Sequence, residues 1–202
     1  MPMKATPPHR RADGHSDDVR ALIHRVQSGE RDAFGPIYEA YYPAIYRYCY
    51  VRVRQHAQAE DLVHEVFIKA YMAIDTFKPT ASVPLAYFYT IARNITIDAM
   101  RRRRPTISTD DGEAPDLPDE GLRQDDLVAQ KDLAHDVYQH LDLLEDAQRE
   151  AIVLRFIEGL SNKEIGEILG KREAAIRQLQ SRGLRALRGR IVHHHDKGTS
   201  SQ

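Results

Sequence analysis

The segment from residue 105 to residue 129 sets the strongest limit on how this 202-residue chain can fold. Within it, residues 106–128 contain eight Asp or Glu against one Arg, together with two prolines and two glycines. So polar a segment cannot bury enough apolar surface to offset the entropy lost on folding. We therefore predict an acidic linker with a small folded unit on each side. Its net charge of −7 accounts for a total of only −1.

Apolar residues recur at helical spacing on both sides of this linker, which predicts an all-α protein of two small helical domains. The first unit is expected at residues 16–104 and the second at residues 130–192. Residues 1–15, which are rich in Pro, Arg and Gly, and residues 193–202 are predicted to be disordered tails. The helices predicted in the first unit cover residues 18–28, 31–54, 59–76 and 85–104, and Pro43 is expected to kink or interrupt the second of them.

Several classes of protein are excluded by composition. No apolar run approaches the roughly 20 residues that cross a bilayer, and the N-terminal residues lack the apolar core of a secretory signal. A single cysteine, Cys49, excludes an internal disulfide and a cysteine-rich zinc site, and it fits a reducing cytosol. The three adjacent histidines 193–195 give no fixed metal geometry on a tail. We expect a cytoplasmic protein without a metal or a cofactor.

The second unit ends in a pattern typical of a helix-turn-helix, preceded by predicted helices at 132–143 and 147–158. The second of these is expected to supply a small core with Ile152, Val153, Leu154, Phe156 and Ile157. Ser161 and Glu164 have the spacing of a capping box, and Gly170 supplies a stop before a longer helix that begins at Glu173. On that helix Ile176, Leu179, Gly183, Ala186 and Leu187 share one side, whereas the opposite side is polar and basic.

Charge on residues 161–190 indicates the partner of this motif. The segment carries eight Lys or Arg against three Glu, a net charge of +5 that suits a polyanion. The second helix of a helix-turn-helix can enter a major groove and reach base edges. The alternative is a surface hairpin with a solvated basic face. Because the capping box, the glycine stop and the basic charge on one side of the second helix all agree, the sequence favours DNA binding.

The third helix carries two apolar residues on its polar side. Ile68 and Met72 lie between charged residues such as Asp61 and Glu65, opposite a broad core face. Large apolar side chains rimmed by charge indicate a partner surface. Coverage by another helix of the same unit explains them equally well, and the sequence leaves the two interpretations open.

The fourth helix has an apolar side and a polar side. Its apolar stripe is expected to be buried, and the far side carries Thr90, Arg93, Asn94, Ile97 and Arg101, with Tyr87 at the edge. The four arginines 101–104 lie at its C-terminus, where positive charge interacts favourably with the helix dipole. This interaction alone would explain their presence. Aromatic, amide and guanidinium groups beside a Pro-rich loop at 78–84 are also what binding of single-stranded nucleic acid requires.

Three stretches resemble one family, the extracytoplasmic-function (ECF) sigma factors of the sigma-70 family. Ala59-Glu-Asp-Leu-Val-His-Glu-Val-Phe-Ile-Lys-Ala-Tyr resembles the helix that binds core RNA polymerase, and Ala86-Tyr-Phe-Tyr-Thr-Ile-Ala-Arg-Asn-Ile-Thr-Ile-Asp-Ala-Met-Arg-Arg resembles the helix that recognises and melts the −10 element. The stretch that begins Leu143-Leu-Glu-Asp-Ala-Gln-Arg-Glu-Ala-Ile resembles the domain that reads the −35 element. The match covers most of residues 19–190.

The resemblance implies three sets of binding residues and no enzymatic activity. Contacts to the coiled coil of the largest polymerase subunit are implied for Asp61, Glu65, Ile68 and Met72. Contacts to the −10 element are implied for Lys78, Tyr87, Thr90, Arg93, Asn94, Ile97 and Arg101. Contacts to the −35 element are implied for Lys171, Arg172, Arg177, Gln178, Ser181, Arg182 and Arg185.

Further expectations follow from the same resemblance. The partners implied are core RNA polymerase, including its flap, promoter DNA in duplex and single-stranded form, and an anti-sigma factor. The loop 78–84 corresponds to the segment that captures a flipped base, and the acidic linker to the segment threaded toward the active-site and RNA-exit channels. Two residues depart from the family pattern: Tyr87 replaces a usual Trp, and Arg172 replaces a Ser or Thr N-cap worth about 1 kcal/mol.

Two rival functions would need features that this sequence does not present. An autonomous helix-turn-helix repressor would need a ligand or dimerisation domain in residues 16–104, where a basic stripe and an exposed apolar face are predicted instead. A nuclease would need clustered carboxylates at metal-ligand spacing. Asp61 and Glu65 lie one turn apart, but the sequence places no third ligand beside them.

Overall fold

The computed structural model describes residues 13–78, 84–103 and 139–198, which form helices with no strand among them. The predicted all-α class is confirmed. The linker 105–129 lies outside the described residues, as do most of the loop 78–84, residues 1–12 of the first predicted tail and residues 199–202 of the second. The helices of the first unit are α1 (Asp13–Gln27), α2 (Phe34–Val53), α3 (His56–Met72) and α4 (Pro84–Arg103), with 3-10 turns at Arg31–Ala33 and Ile74–Thr76.

The second unit begins with helical residues 139–142, and the start of that predicted helix lies outside the described part of the chain. It continues with α5 (Asp146–Ile152), a π-helical turn (Val153–Ile157), α6 (Asn162–Leu169) and α7 (Glu173–Gly198). The α7 backbone extends past residue 192, where we predicted a disordered tail, and α1 begins at Asp13 inside the other predicted tail.

The core of the first unit forms where α2, α3 and α4 pack together, with α1 against α2 and α4. Aromatic rings hold its centre: the ring centroid of Phe67 lies 4.6 Å from that of Tyr38 and 5.4 Å from that of Phe88. Such pairs stabilise by about 0.5–1.5 kcal/mol beyond the area they bury. The apolar face predicted for α3 is buried as expected.

Pro43 lies inside α2, which continues through it, so of the two expected outcomes, a kink or an interruption, the interruption is wrong. The side chain of Pro43 is exposed, while Tyr41 and Ile45 on the facing side are buried. A proline removes one backbone hydrogen bond and crowds the preceding turn. Tertiary packing of an apolar helix face supplies most helical stability, so α2 continues through the proline.

Phe156 was expected in the core of the second unit, and this expectation is wrong, since 59% of the residue is exposed. The neighbouring Val153 and Leu154 are buried. A π-helical turn contains more residues than an α-helical turn, so it rotates the side chains that follow it away from the expected face. Sequence periodicity assumed a regular α-helix across this point.

The two units pack against each other. Helix α4 of the first unit contacts α6 of the second, and buried residues of both units belong to one continuous apolar cluster. This contact brings the predicted strand-binding helix beside the helix-turn-helix.

Candidate protein and nucleic-acid interfaces

The helix-turn-helix is set by its cap and its stop. The backbone N–H of Ser161 donates to a carboxylate oxygen of Glu164 over 2.6 Å, and the backbone N–H of Glu164 donates to the Ser161 hydroxyl over 3.3 Å. Gly170 ends α6 in the left-handed region, at φ 62° and ψ 36°. The predicted capping box and glycine stop are both confirmed.

A close backbone approach fixes the turn. A Cβ atom added to Gly166 would lie 2.6 Å from the carbonyl oxygen of Lys171. Real Cβ atoms essentially never approach backbone so closely, so any larger residue would force α6 away from the turn. Gly166 therefore determines where the N-terminus of α7 lies.

The buried side of α7 is held by apolar packing and one side-chain hydrogen bond. Ile176 is fully buried, and a Cβ on Gly183 would lie 2.5 Å from the Cδ1 of Ile152 in α5. The amide of Gln180 donates to the Oδ1 of Asn162 over 2.9 Å, joining α7 to the start of α6. These contacts fix the rotation of α7 about its axis.

The opposite side of α7 and the turn before it form a surface that we call the α7 face. All seven side chains predicted for −35 contacts are exposed on it: Lys171, Arg172, Arg177, Gln178, Ser181, Arg182 and Arg185. Arg177 lies 3.5 Å from Glu173, an exposed pair worth little and easily exchanged for a phosphate. The α7 face is a continuous, positively charged and solvent-accessible surface.

The stripe predicted on α4 is less uniform. Lys78, Asn94 and Arg101 are exposed, whereas Tyr87, Thr90, Arg93 and Ile97 are partly buried. The hydroxyl of Thr90 donates to the carbonyl of Ala86 over 2.9 Å, and the Nε of Arg93 is shielded from solvent. Four of the seven predicted side chains are thus only partly accessible in this arrangement.

Tyr87 is fixed by neighbouring aromatic groups. Its ring centroid lies 4.6 Å from that of Phe77, and its hydroxyl donates to the carbonyl of Ala70 over 3.4 Å. Desolvation by burial raises the pKa of the Tyr87 phenol. Tyr87 is thus held in place near the start of the loop 78–84 and stays partly accessible.

On α3, an apolar surface that we call the α3 patch consists of Ile68, Tyr71 and Met72. Ile68 is 59% exposed and Met72 is 78% exposed. Among the described residues no helix covers them. The alternative that another helix of the same unit buries Ile68 and Met72 is therefore wrong. Asp61 is exposed. Glu65 is partly exposed, and its carboxylate lies 2.6 Å from the Nζ of Lys69. The patch is apolar with a charged rim.

Tyr71 belongs to this surface and was missed from the sequence. Its ring lies 5.0 Å from that of Phe34, and the Arg31 guanidinium lies 5.6 Å from the Tyr71 ring centroid. Tyrosine at a helix boundary is ambiguous between core and surface, so periodicity alone gave no signal. The contacts to α2 and to the preceding turn hold the ring in place at the edge of the patch.

Arg149 is a second residue that sequence reasoning missed. Its guanidinium donates to the carbonyl oxygens of Leu141 over 2.9 Å, Asp142 over 2.9 Å and Leu144 over 3.2 Å. Burial lowers the pKa of Arg149 from its ordinary value. The side chain satisfies the open carbonyls at the end of the preceding helix and so positions that helix against α5.

Cys49 lies in α2 and is fully buried. Desolvation raises the pKa of its thiol to about 12, with the nearby Arg52 opposing the shift and Glu158 adding to it.

Two family descriptions match the two units in chain order. Sigma-70 region 2 matches residues 37–106, and Sigma-70, region 4, matches residues 140–189. The chain is 37% identical over 181 residues to the ECF RNA polymerase sigma factor BldN of Streptomyces coelicolor, covering 89% of this chain and 69% of BldN. It belongs to the ECF sigma factors of the sigma-70 family. The function of this sigma factor is to direct RNA polymerase to promoters at the start of transcription.

Other comparisons agree with this membership. The sigma factor is 33% identical over 181 residues to SigW of Bacillus subtilis, covering 86% of this chain and 96% of SigW. The solved structure of RpoE with the anti-sigma factor NepR, from Bartonella quintana, has a TM-score of 0.61 at 26% identity and covers 77% of this chain and 94% of RpoE.

One further solved structure shares the fold. CnrH in complex with the cytosolic domain of CnrY has a TM-score of 0.68 at 24% identity, over 86% of this chain and 97% of CnrH. Within the described parts of this sigma factor, no helix is long and apolar enough to span a bilayer.

Proposed function

We propose that this sigma factor binds polymerase and the two promoter elements through three separate surfaces. The α3 patch, with Asp61 and Glu65, binds the coiled coil of the largest polymerase subunit. The α4 stripe binds the −10 element as its strands separate, and the α7 face binds the −35 element as duplex DNA. The observation that carries the proposal is that one chain presents an exposed apolar patch and two separate basic helical surfaces.

The α3 patch fits a protein partner because its large apolar side chains are exposed inside a charged rim. Burying them on docking removes apolar area from water, at roughly 25 cal/mol per Å². Asp61 and Glu65 supply the charge that orients a basic partner helix.

The α4 stripe fits single-stranded DNA because it joins a fixed aromatic ring to amide and guanidinium groups. Asn94 and Arg101 are accessible to the strand, and the partly exposed Tyr87 lies beside them as an aromatic contact for a base. A base turned out of the duplex costs a few kcal/mol, which contacts on this helix and on the loop 78–84 must offset.

The α7 face fits a major groove because its charged side chains project from one side of a rigidly held helix. Arg177 and Arg185 are placed for phosphates or base edges, and Gln178 for an adenine edge. Arg172, at the N-terminus of α7, adds a charge where a capping side chain would otherwise lie.

Further partners and properties are part of the same proposal. The chain acts by binding and catalyses no reaction itself, it works in the cytoplasm, and an anti-sigma factor inhibits it. RpoE of Bartonella quintana, at 26% identity, was solved in complex with the anti-sigma factor NepR, which supports the last point.

The test is in vitro transcription with purified core polymerase, this protein and a library of promoter sequences. We expect initiation that requires both a −10-like and a −35-like element. A protein that shifts duplex DNA alone and yields no transcript with polymerase would be an autonomous helix-turn-helix regulator, and the polymerase assignment of the α3 patch would be abandoned.

A further inference from the structure

The last residue of α1 ties that helix to the turn that follows α3. The side-chain amide of Gln27 donates to the carbonyl oxygen of Ile74 over 2.7 Å and to that of Phe77 over 2.8 Å. A glutamine amide has two N–H donors. Both donors therefore bind backbone groups that lie 47 and 50 residues further along the chain.

The two carbonyls accept these bonds where the backbone leaves helical geometry. Phe77 follows the 3-10 turn with extended angles, φ −69° and ψ 125°. Ile74 and Phe77 are buried, and a buried carbonyl group without a hydrogen-bond partner is costly. The Gln27 amide supplies a donor to each of them, so it fixes the direction in which the backbone leaves the turn.

A second tie joins the same two elements and is weaker. Arg31, in the turn after α1, lies 3.2 Å from Asp75, and both side chains are about half exposed. An exposed ion pair of this kind contributes little to stability and is screened by salt. Of the two ties, the partly buried amide of Gln27 is therefore the stronger.

The turn that Gln27 holds supports an aromatic side chain of the α4 stripe. The ring centroid of Phe77 lies 4.6 Å from that of Tyr87, and the adjacent Phe88 ring lies 5.5 Å from it. The hydroxyl of Tyr87 reaches the carbonyl of Ala70 only over 3.4 Å, which is long for a hydrogen bond. The position of the Tyr87 ring therefore depends on Phe77. Lys78, the next residue along the chain, is exposed.

We propose that Gln27 is a positioning residue for the opened −10 strand, acting through residues 74–77 on Tyr87 and Lys78. The inference rests on the proposed assignment of the −10 element to the α4 stripe. Gln27 itself does not touch DNA, and α1 carries none of the side chains predicted for DNA contact. Without the amide, the strand-binding side chains are still present, but their positions spread. The loss then falls on capture of the opened strand and spares the first contact with duplex DNA.

The test variant is Gln27→Met, which removes both N–H donors and keeps an unbranched side chain of similar length. The matched control is Gln180→Met, which removes the buried amide that donates to Asn162 over 2.9 Å in the second unit. Thermal unfolding followed by circular dichroism measures the stability that each variant loses. If Gln27→Met does not fold, Gln27→Ala, which also lacks the donors and suits a helix, takes its place.

The freedom of the aromatic ring can be measured directly, because the chain contains no tryptophan. Tyr87→Trp places a single fluorophore at this position, where the family usually has Trp. In this background we expect Gln27→Met to enlarge the fast component of the fluorescence anisotropy decay, and Gln180→Met to leave it unchanged. A general loss of stability would not produce this difference, since folded molecules give the signal in both variants.

The effect on function is measured with Tyr87 in place, using core polymerase and a promoter selected in the transcription test above. The kinetics of open-complex formation separate initial binding from isomerisation. We expect Gln27→Met to lower the isomerisation rate constant about fivefold, as for the loss of roughly one net hydrogen bond. Initial binding should stay within about twofold of wild type, because it precedes capture of the strand. Gln180→Met should leave the isomerisation rate constant unchanged.

Three results would overturn the proposal. Gln27→Met could leave the anisotropy decay unchanged, it could lower the isomerisation rate no more than Gln180→Met does, or its effect could be confined to initial binding. Failure of the proposed function gives a different pattern, because the wild type with core polymerase would then yield no promoter-dependent transcript. The anisotropy measurement needs neither polymerase nor DNA, so in that case it still decides whether Gln27 positions the ring.

Discussion

The α3 patch and the α7 face are both exposed helix surfaces, yet they suit partners of opposite chemistry. The α3 patch offers Ile68 and Met72 to an apolar partner, while the α7 face offers arginines and an amide to a polyanion. A partner that docked on the first would gain from apolar burial, which depends little on salt. Binding at the second releases counterions and weakens steeply as salt rises. Exposure alone therefore does not identify a partner, and the chemistry of the exposed side chains does.

The largest expected effect is loss of polymerase binding on changing Ile68 and Met72 together to Asp. Docking would then bury two unpaired carboxylates, so we expect affinity for core polymerase to fall more than 100-fold. Surface plasmon resonance with immobilised core polymerase measures this, and circular dichroism checks the fold. The control, Ile68→Val with Met72→Leu, keeps the patch apolar and should bind within a few-fold of wild type. Unaltered binding of the Asp variant would remove the α3 patch from the interface.

The next effect tests how far the α7 face depends on its supporting turn. Gly166→Ala places a Cβ against the carbonyl oxygen of Lys171, and we expect destabilisation of about 1–3 kcal/mol, with a lower Tm. Affinity of the holoenzyme for promoter DNA should fall about tenfold as α7 shifts.

The control for that change is Gly189→Ala, a second glycine of the same unit. Its added Cβ meets nothing within 4 Å, so the Tm should be unchanged or slightly higher. Thermal unfolding followed by circular dichroism separates the two variants. Equal Tm values would show that the close approach at Gly166 is easily relieved.

A smaller effect isolates one charge of the α7 face. Arg177→Ala should reduce holoenzyme affinity for a promoter containing the −35 element and lower the slope of log K against log salt by about one unit. Arg25→Ala, which removes an exposed arginine from the first unit, should leave the slope unchanged. If Arg177→Ala weakens binding at constant slope, this side chain reads a base edge and does not neutralise a phosphate.

The smallest effect concerns Arg172, which lies where a capping residue would stabilise α7. Arg172→Ser should add about 0.5–1 kcal/mol of stability through a cap and raise the Tm by a few degrees. It should also weaken promoter binding, because one ionic contact to a phosphate is lost. Differential scanning calorimetry and a salt titration of the holoenzyme check the two halves of this prediction, and a lower Tm would contradict the first.

The sequence predicted those features that are encoded locally. Ser161 with Glu164 and Gly170 lie within ten residues of one another, so the capping box and the stop of α6 could be predicted without knowledge of the fold. The α3 patch was predicted in part, because its residues break a regular pattern. Whether another helix covers Ile68 depended on packing, and the structure was needed to decide it.

Features that depend on distant partners were not predicted. Tyr48 and Glu150 are 102 residues apart in sequence, and neither has a local pattern that names the other. Phe156 was placed in the core wrongly, because a π-helical turn changes the period of its helix. The interruption expected at Pro43 is absent, because packing of α2 outweighs the local preference of proline. The assignments of individual residues to polymerase, −10 and −35 contacts remain predictions.

Burial of Cys49 has a consequence for redox chemistry. Oxidants react with thiolates, and a fully buried thiol whose pKa is raised to about 12 is almost entirely protonated at neutral pH. Peroxide should therefore leave it unmodified, and with no second cysteine in the chain there is no partner for an intramolecular disulfide.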